Sequence, residues 1–309
     1  MIGQAPQRRF LRFCHILFVL LLLVQFLPDR LGRDPRTSHV LVLAAAIEVL
    51  TLLVSAFSKK EARLDLFADI VSFIYVFLMF WTLLTAKFNV LKTSFFPPPG
   101  VVFEQALREG PVIFVNIRTS LGIVAQGYLL ALLFAVPLGL FLGWSVRAGN
   151  AAVYISKFLS SIPPVVYIPY GIALLPTFRS VSVMVIFLAS FWPALAGAMS
   201  GVLNVEKEII DSARSLNLGR LAMLFQIILP ASMPQIFTGC NQGLSVSFIL
   251  LTSAEMIGAR SGLGFYVKNF SDLGDYTRII LGVLVIGIVV TVIVFFFNKL
   301  QRYLLRWKT

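Results

Sequence analysis

Residues 209–234, IIDSARSLNLGRLAMLFQIILPASMP, interrupt a chain that is otherwise mostly apolar. Asp211, Arg214 and Arg220 fall between two long greasy runs, with Asn217 and Pro230 set among them. Upstream, Asn204 offers a side chain that caps a helix N-terminus, and Glu206 suits the positive end of the helix dipole. Ile209, Ile210, Ala213 and Leu216 then recur at helical spacing as one apolar stripe, opposite Lys207, Glu208, Asp211 and Arg214. Ala213 is small, so another surface can come close there. Asn217 is the non-glycine residue best suited to a left-handed helix end. A second apolar segment, 218–229, halts at Pro230. The pattern predicts a short helix, a sharp turn and a second helix that returns to apolar surroundings. Two readings stand: an amphipathic helix lying on a bilayer, or a rigid element presented to a partner.

The surroundings are a membrane chain. Of 309 residues, 58% are hydrophobic and 13% charged, with a mean hydropathy of +0.89. Soluble domains carry about a quarter charged residues. Apolar runs of about 20 residues recur, the length that crosses a bilayer. The fold class is all-α, a polytopic membrane protein with about eight transmembrane helices. The expected segments are 12–28, 39–57, 66–86, 117–143, 152–175, 181–203, 233–257 and 277–300. Arg8, Arg9 and Arg12 precede the first, and VQFLPDR offers no small-residue cleavage site, so it reads as a span rather than a signal peptide.

Residues 1–94 therefore form an N-terminal block of about three transmembrane helices. Residues 95–309 form a second block, with five spans and the loop 204–222. It opens on FFPPPGVVFEQALREGP at 95–111, too charged and short to span, which reads as an interfacial helix. Lys and Arg favour the side of the chain termini slightly, placing the loop 204–222 inside the cell.

Several function classes drop out. The net charge of +12 is accounted for by Lys and Arg flanking spans, where they face anionic headgroups; no basic stripe with interleaved aromatics suggests nucleic acid. Cys14 and Cys240 lie in apolar runs and make no disulfide framework. His15 and His39 have no cysteine or carboxylate cluster nearby in sequence, so no metal site is expected. There is no nucleophile–base pair, and no phosphate loop with its Gly-Lys-Ser/Thr ending. The chain is expected to be a non-catalytic subunit with no cofactor of its own.

Polar groups inside spans usually face a bundle interior. The candidates are Asn116, Gln126, Lys157, Asn241, Gln242, Ser245, Ser247 and Glu255, with Pro163, Pro164 and Pro169 breaking the fifth segment. That segment is either a kinked packing helix or a pathway-lining one. Ser245 and Ser247 either face the pathway or bond back to their own helix. Glu255 has a structural role near the following SGLG turn, or lines a pathway. Glu48, mid-span, pairs with Lys157 or faces a second copy.

The opening stretch resembles the signature loop of binding-protein-dependent ABC transporter permeases: Glu-Ala-Ala, three residues, Gly, nine residues, then Ile-x-Leu-Pro. Asp211-Ser212-Ala213 stands for Glu-Ala-Ala and Asn217 for Gly, and nine residues later come Ile227, Ile228, Leu229 and Pro230. Ile162-Pro163-Pro164 with Pro169, Pro97 and Pro99 with Val102, and AEMIGARSGLGFYV at 254–267 resemble the nitrate, sulfonate, taurine and bicarbonate branch. In the last of these, Glu255, Gly258, Gly262, Leu263 and Gly264 fall in place. Asn241 departs from an arginine frequent in relatives, and PTFRSVS at 176–182 departs from a Trp-Phe-Gly run, which weakens any inference of an anionic cargo. The likeness covers about residues 95–309.

It implies a type I ABC importer permease core in the bacterial cytoplasmic membrane. A cytosolic ABC ATPase, which binds ATP and Mg, would dock on a coupling helix through Glu208, Asp211, Ser212, Ala213, Arg214 and Asn217, with Pro230 closing the motif. An extracytoplasmic binding protein would deliver the solute, and a second permease copy would complete a homodimer in the lipid. The pathway candidates are then Pro163, Pro164, Pro169, Asn241, Gln242, Ser245 and Glu255. The alternative is an ion-coupled secondary transporter, for which only Glu48 and Lys157 offer relay groups and no internal repeat is visible. A scaffold that recruits a cytosolic partner is a third reading.

Overall fold

A computed structural model describes residues 13–30, 36–57, 61–215 and 218–306, the side chains of 61–63 excepted. Asn217, the expected turn residue, lies outside the described residues. The described chain is helical, without a strand. Six helices are long and apolar enough to cross a membrane, and a broken pair makes a seventh. The described part of the first apolar helix is only Phe13–Gln25, shorter than the about 20 residues a crossing needs. The expected count of eight therefore exceeds what the lengths support.

The chain divides into two compact units, residues 1–110 with 270–281, and residues 111–269 with 282–309. The helix Pro99–Arg108 lies in the first of these units.

In the first unit, α1 (Phe13–Gln25), α2 (Thr37–Phe57) and α3 (Glu61–Thr82) are followed by a π-turn, Leu83–Lys87, and by α4 (Pro99–Arg108). Pro99 begins α4, where a missing N–H costs nothing. Glu104 on α4 accepts from Arg36 at 2.8 Å and Arg108 at 2.6 Å. Desolvation raises its pKa, but the two guanidinium groups outweigh it and hold the carboxyl below the usual range.

The apolar block of α1–α3 buries a polar cluster. Glu48 on α2 is 8% exposed; one carboxylate oxygen meets His15 Nδ1 on α1, and the other accepts from Tyr75 Oη on α3 at 2.9 Å. The expected pairing of Glu48 with Lys157 is thereby corrected: both oxygens are taken within its own three helices. At one end of α1, the buried Lys87 ammonium donates to the carbonyls of Gln25 (2.9 Å) and Leu27 (2.6 Å) and pairs with Asp29 at 2.8 Å. It satisfies carbonyls that a helix end leaves open.

The second unit takes up α5 (Gly110–Gly143) from Pro111 onward, followed by α6 (Val146–Ser160). A 3₁₀ turn, Pro164–Tyr167, leads into α7 (Ile168–Leu174), bent 72° from α6. The fifth segment is thus a broken pass, not one span over 152–175. Pro164 pushes the residue before it, Pro163, out of the helical region to ψ 123°.

Then come α8 (Phe178–Leu203), α9 (Lys207–Ser215), α10 (Arg220–Ala222), a π-turn (Met223–Ile228), α11 (Leu229–Gly258), α12 (Leu263–Asp272) and α13 (Tyr276–Leu304). Residues 220–258 form one 39-residue helical rod. Pro230 does not halt it. The π-turn just before widens the helix, relieving the clash between a proline ring and the carbonyl four residues back.

Small residues set the packing of this unit. On α5, Gly127, Gly139 and Gly143 face Ile186, Ala198 and Val202 of α8, so the two helices run parallel. Between α8 and α11 the backbones nearly touch. A Cβ on Gly197 would lie 2.8 Å from Gln235 O and Gly239 Cα, and one on Gly201 2.8 Å from Ser232 O. Higher up, the Ser190 and Ser247 hydroxyls pair at 2.6 Å. Helices without a hydrophobic drive between them associate through such close approach. Ala194, Ala198, Met199, Ile236 and Cys240 fill the adjoining core.

Replacing Glu48 by Leu leaves the Tyr75 hydroxyl and the His15 ring without their partner. An unpartnered buried polar group costs about 1–3 kcal/mol, so Glu48→Leu should lower the Tm of the purified protein clearly, and Glu48→Gln less. Equal melting of all three proteins would show that the cluster contributes nothing to the block.

Candidate translocation pathway and coupling helix

α6, α8 and α11 enclose a cavity of about 490 Å³. Its polar lining is Lys157, Ser160, Ser200, Gln235, Thr238 and Gln242, set against Trp192 and the prolines Pro164 and Pro193. Lys157 is the one charged lining residue, and its side chain is exposed. The bend at 161–163 carries the chain from α6 to the wall that Pro164 forms, and the glycines of α8 and α11 leave the opposite wall thin. A cavity of this size with a few converging polar groups is the usual form of a small-molecule site.

Of the sequence candidates, Pro164, Lys157 and Gln242 line this cavity; Pro163, Pro169, Asn241, Ser245 and Glu255 do not. Pro163 and Pro169 shape the break, Pro163 before the 3₁₀ turn and Pro169 in the first turn of α7. Asn241 donates to Asn298 Oδ1 on α13 at 3.1 Å. Ser245 bonds back to Asn241 O at 3.0 Å and Ser247 to Gly243 O at 2.7 Å. Gln126 borders a separate recess with Arg179. Gln235, Thr238, Ser160 and Ser200 escaped the sequence reading. Their only sequence signal is that 235, 238 and 242 share a helical face with the glycine at 239.

Glu255 is 1% exposed and fastens a turn. One oxygen accepts from Ser120 Oγ at 2.7 Å, the other from the Gly264 N–H at 2.7 Å. Ser120 Oγ also accepts from the Leu263 N–H at 2.8 Å, and Asn116 Oδ1 from the Gly262 N–H at 2.8 Å. Three successive N–H groups at the start of α12 are thus held by α5 and α11. Gly262 has φ +118°, and a Cβ there would run into the Glu255 carboxylate. The SGLG motif is the backbone that permits this latch.

At the opposite end of the rod sits α9. Its first turn hangs on the Glu206 carbonyl, which accepts from Ile209 and Ile210. Asn204 does not cap it: it is the C-cap of α8, which ends at Leu203 where expected, and its N–H is bonded to Ser200 O. Ala213 is 2% exposed and packs beside Ile209 and Ile227. The surface that comes close to it is the chain's own π-turn. Lys207, Glu208, Asp211, Ser212 and Arg214 are exposed on the free face, with Asp211 and Arg214 3.5 Å apart.

An apolar helical bundle with a polar cavity between its passes and a charged helix at one end is the form of a membrane transport subunit. Known proteins agree. Residues 135–309 match the family of binding-protein-dependent transport system inner membrane components. The chain is 32% identical over 177 residues to the nitrate import permease protein NrtB of Leptolyngbya laminosa, covering 57% of this chain and 63% of that protein. It is 30% identical over 236 residues to the taurine transport system permease protein TauC of Escherichia coli (strain K12), covering 74% and 85%. It is 27% identical over 229 residues to the bicarbonate transport system permease protein CmpB of Synechocystis, covering 69% and 80%. The chain belongs to the binding-protein-dependent ABC transporter permeases, and is a multi-pass protein of the inner membrane.

Gly262→Ala should destabilise the protein, since a left-handed backbone costs a side chain about 1–2 kcal/mol before the clash with Glu255 is added. Gly287→Ala, in open space on α13, should be neutral or stabilising by comparison. Thermal melts of the two variants give the answer; a Gly262→Ala protein as stable as the wild type would mean that the latch is slack.

Proposed function

We propose that this chain forms the solute pathway of an ATP-driven importer and couples it to a separate cytosolic ATPase. The observation that carries this reading is α9, a helix seated on the π-turn through Ala213 while its charged face stays free. A helix lying on lipid would turn its apolar stripe to the bilayer; here Ala213 is buried beside Ile227 of the chain's own π-turn. Glu208, Asp211, Ser212 and Arg214 then present polar groups to the ATPase, and the seat at Ala213 and Ile227 transmits movement to the rod that Pro230 lies in. ATP and Mg belong to that partner. A binding protein delivers solute at the end carrying the Glu255 latch.

The cavity is one half of the pathway, and a second copy of the chain closes it as a homodimer. Lys157 favours a small anion, in keeping with the nitrate, taurine and bicarbonate named for the relatives.

The test is uptake by proteoliposomes holding the permease, its ATPase and its binding protein. Asp211→Lys with Arg214→Glu should cut ATP-driven uptake at least about tenfold, the worth of ~1.4 kcal/mol of docking energy, with Tm unchanged. Ala213→Trp should lower both uptake and Tm, because it unseats α9. Lys157→Gln should slow uptake while leaving ATPase docking intact. Uptake driven by an ion gradient with no ATPase present would overturn the reading.

A further inference from the structure

A second recess lies at the end of the second unit where α9 sits. The last turns of α5 and the residue that follows it supply Pro137, Leu140, Phe141 and Trp144; the start of the rod supplies Arg220, Leu221, Leu224 and Phe225. Together they enclose about 490 Å³, within the about 300–1,000 Å³ of ligand pockets. Seven of these eight residues are apolar. Trp144 is 41% exposed, Phe141 76% and Leu221 73%. Arg220 is exposed, and its guanidinium has no hydrogen bond or ion pair with any described residue. The recess shares no residue with the pathway cavity.

We infer that this recess binds one phospholipid with an anionic headgroup. Apolar walls between two membrane-crossing helices suit an acyl chain and not a soluble solute. Tryptophan sits where hydrocarbon gives way to headgroups, and Trp144 marks that depth at the end of α5. Arg220, at the mouth, is an unpaired guanidinium, and guanidinium forms paired hydrogen bonds with phosphate. An apolar tail slot, an interfacial indole and a lone cation at its rim match one amphiphile in a single orientation.

The site is also placed to matter. Its inner wall is the turn 221–225, next to the π-turn residue Ile227 on which Ala213 rests. A lipid lodged there braces α5 against the base of the rod.

Native mass spectrometry of the full-length chain, released from nanodiscs, tests this. Discs of phosphatidylcholine doped with phosphatidylglycerol should leave one phosphatidylglycerol retained per chain. Arg220→Gln should weaken retention about fivefold, the worth of one basic residue at an anionic surface. Leu224→Trp, which fills the slot, should abolish it. Arg147→Gln, a basic change on α6 that does not border the recess, should leave retention unchanged. The inference is overturned if Arg220→Gln and Leu224→Trp retain lipid like the wild type. It is equally overturned if Arg147→Gln weakens retention as much as Arg220→Gln, since the attraction is then diffuse. Displacement of the lipid by millimolar inorganic phosphate would likewise sink it, because the tail slot would then contribute nothing. Because Arg220 is exposed, its variant tests binding without threatening the fold; matched Tm values verify this.

Discussion

The near-contact of the α8 and α11 backbones is the constraint on which the second unit depends. Within hydrocarbon, lipid tails are as apolar as leucine, so two helices gain little by burying apolar side chains against each other. They gain from dispersion at short range, and short range requires that side chains be absent. Gly197 against Gly239, and Gly201 against Ser232, provide this. The consequence reaches the cavity. Helices held this tightly on one flank cannot also close on the other, where Trp192, Gln235, Thr238 and Gln242 face the broken pass. The polar space is therefore a by-product of where the glycines are, and the bend at Pro163 and Pro164 keeps α6 from filling it.

Six of the eight expected spans coincide with helices long and apolar enough to cross, because that property rests on composition over about 20 residues. Helix ends were not legible in that way. Asn204 has capping chemistry, but the next helix starts three residues later, and α8 uses Asn204 as an end instead. Pro230 looked like a stop because a proline normally breaks the ladder; a π-turn in front of it is a backbone choice without a residue signature. The loop 204–222 was legible as a motif, yet the direction in which Ala213 points was not. Small residues mark close approach without saying whether the neighbour is another protein or the chain's own turn. Of the pathway candidates, those named for polarity alone were mostly consumed by local bonds. Ser245 and Ser247 bond back to their own helix, and Asn241 donates across to Asn298 on α13. The lining residues Gln235 and Thr238 could be picked out only once Gly239 was known to lie on the α8 side.

Ionisable groups in the membrane fall into two sorts here. Glu48, Lys87 and Glu255 are buried and saturated: two or three partners each, all within one unit. Desolvation makes an unpaired charge there too expensive to keep, so such groups act as fasteners. Lys157 and Arg220 are exposed, and each borders a cavity. Charge near the membrane that is left without a partner marks a place where something else supplies one. The difference between the two sorts is not in residue type or hydropathy but in how many acceptors the fold brings within reach.

The rod 220–258 gives the unit its mechanical logic. At 1.5 Å per residue its 39 residues extend about 58 Å, well beyond the about 30 Å of hydrocarbon. One end carries the seat of α9 and the other carries Glu255, clamped to the turn before α12. A helix resists compression along its axis far better than it resists bending, and bending is easiest at the π-turn 223–228 and at Pro234. Displacement of α9 is therefore absorbed at the π-turn or passed along the axis. Tight packing of α11 on α8 through Gly239 and Gly243 opposes sideways motion. What remains is rotation or sliding of α8 and α11 as a pair, which alters the cavity wall and loads the Glu255 latch at the same time. The two ends are joined by one continuous run of helical backbone, so a displacement at one is carried toward the other.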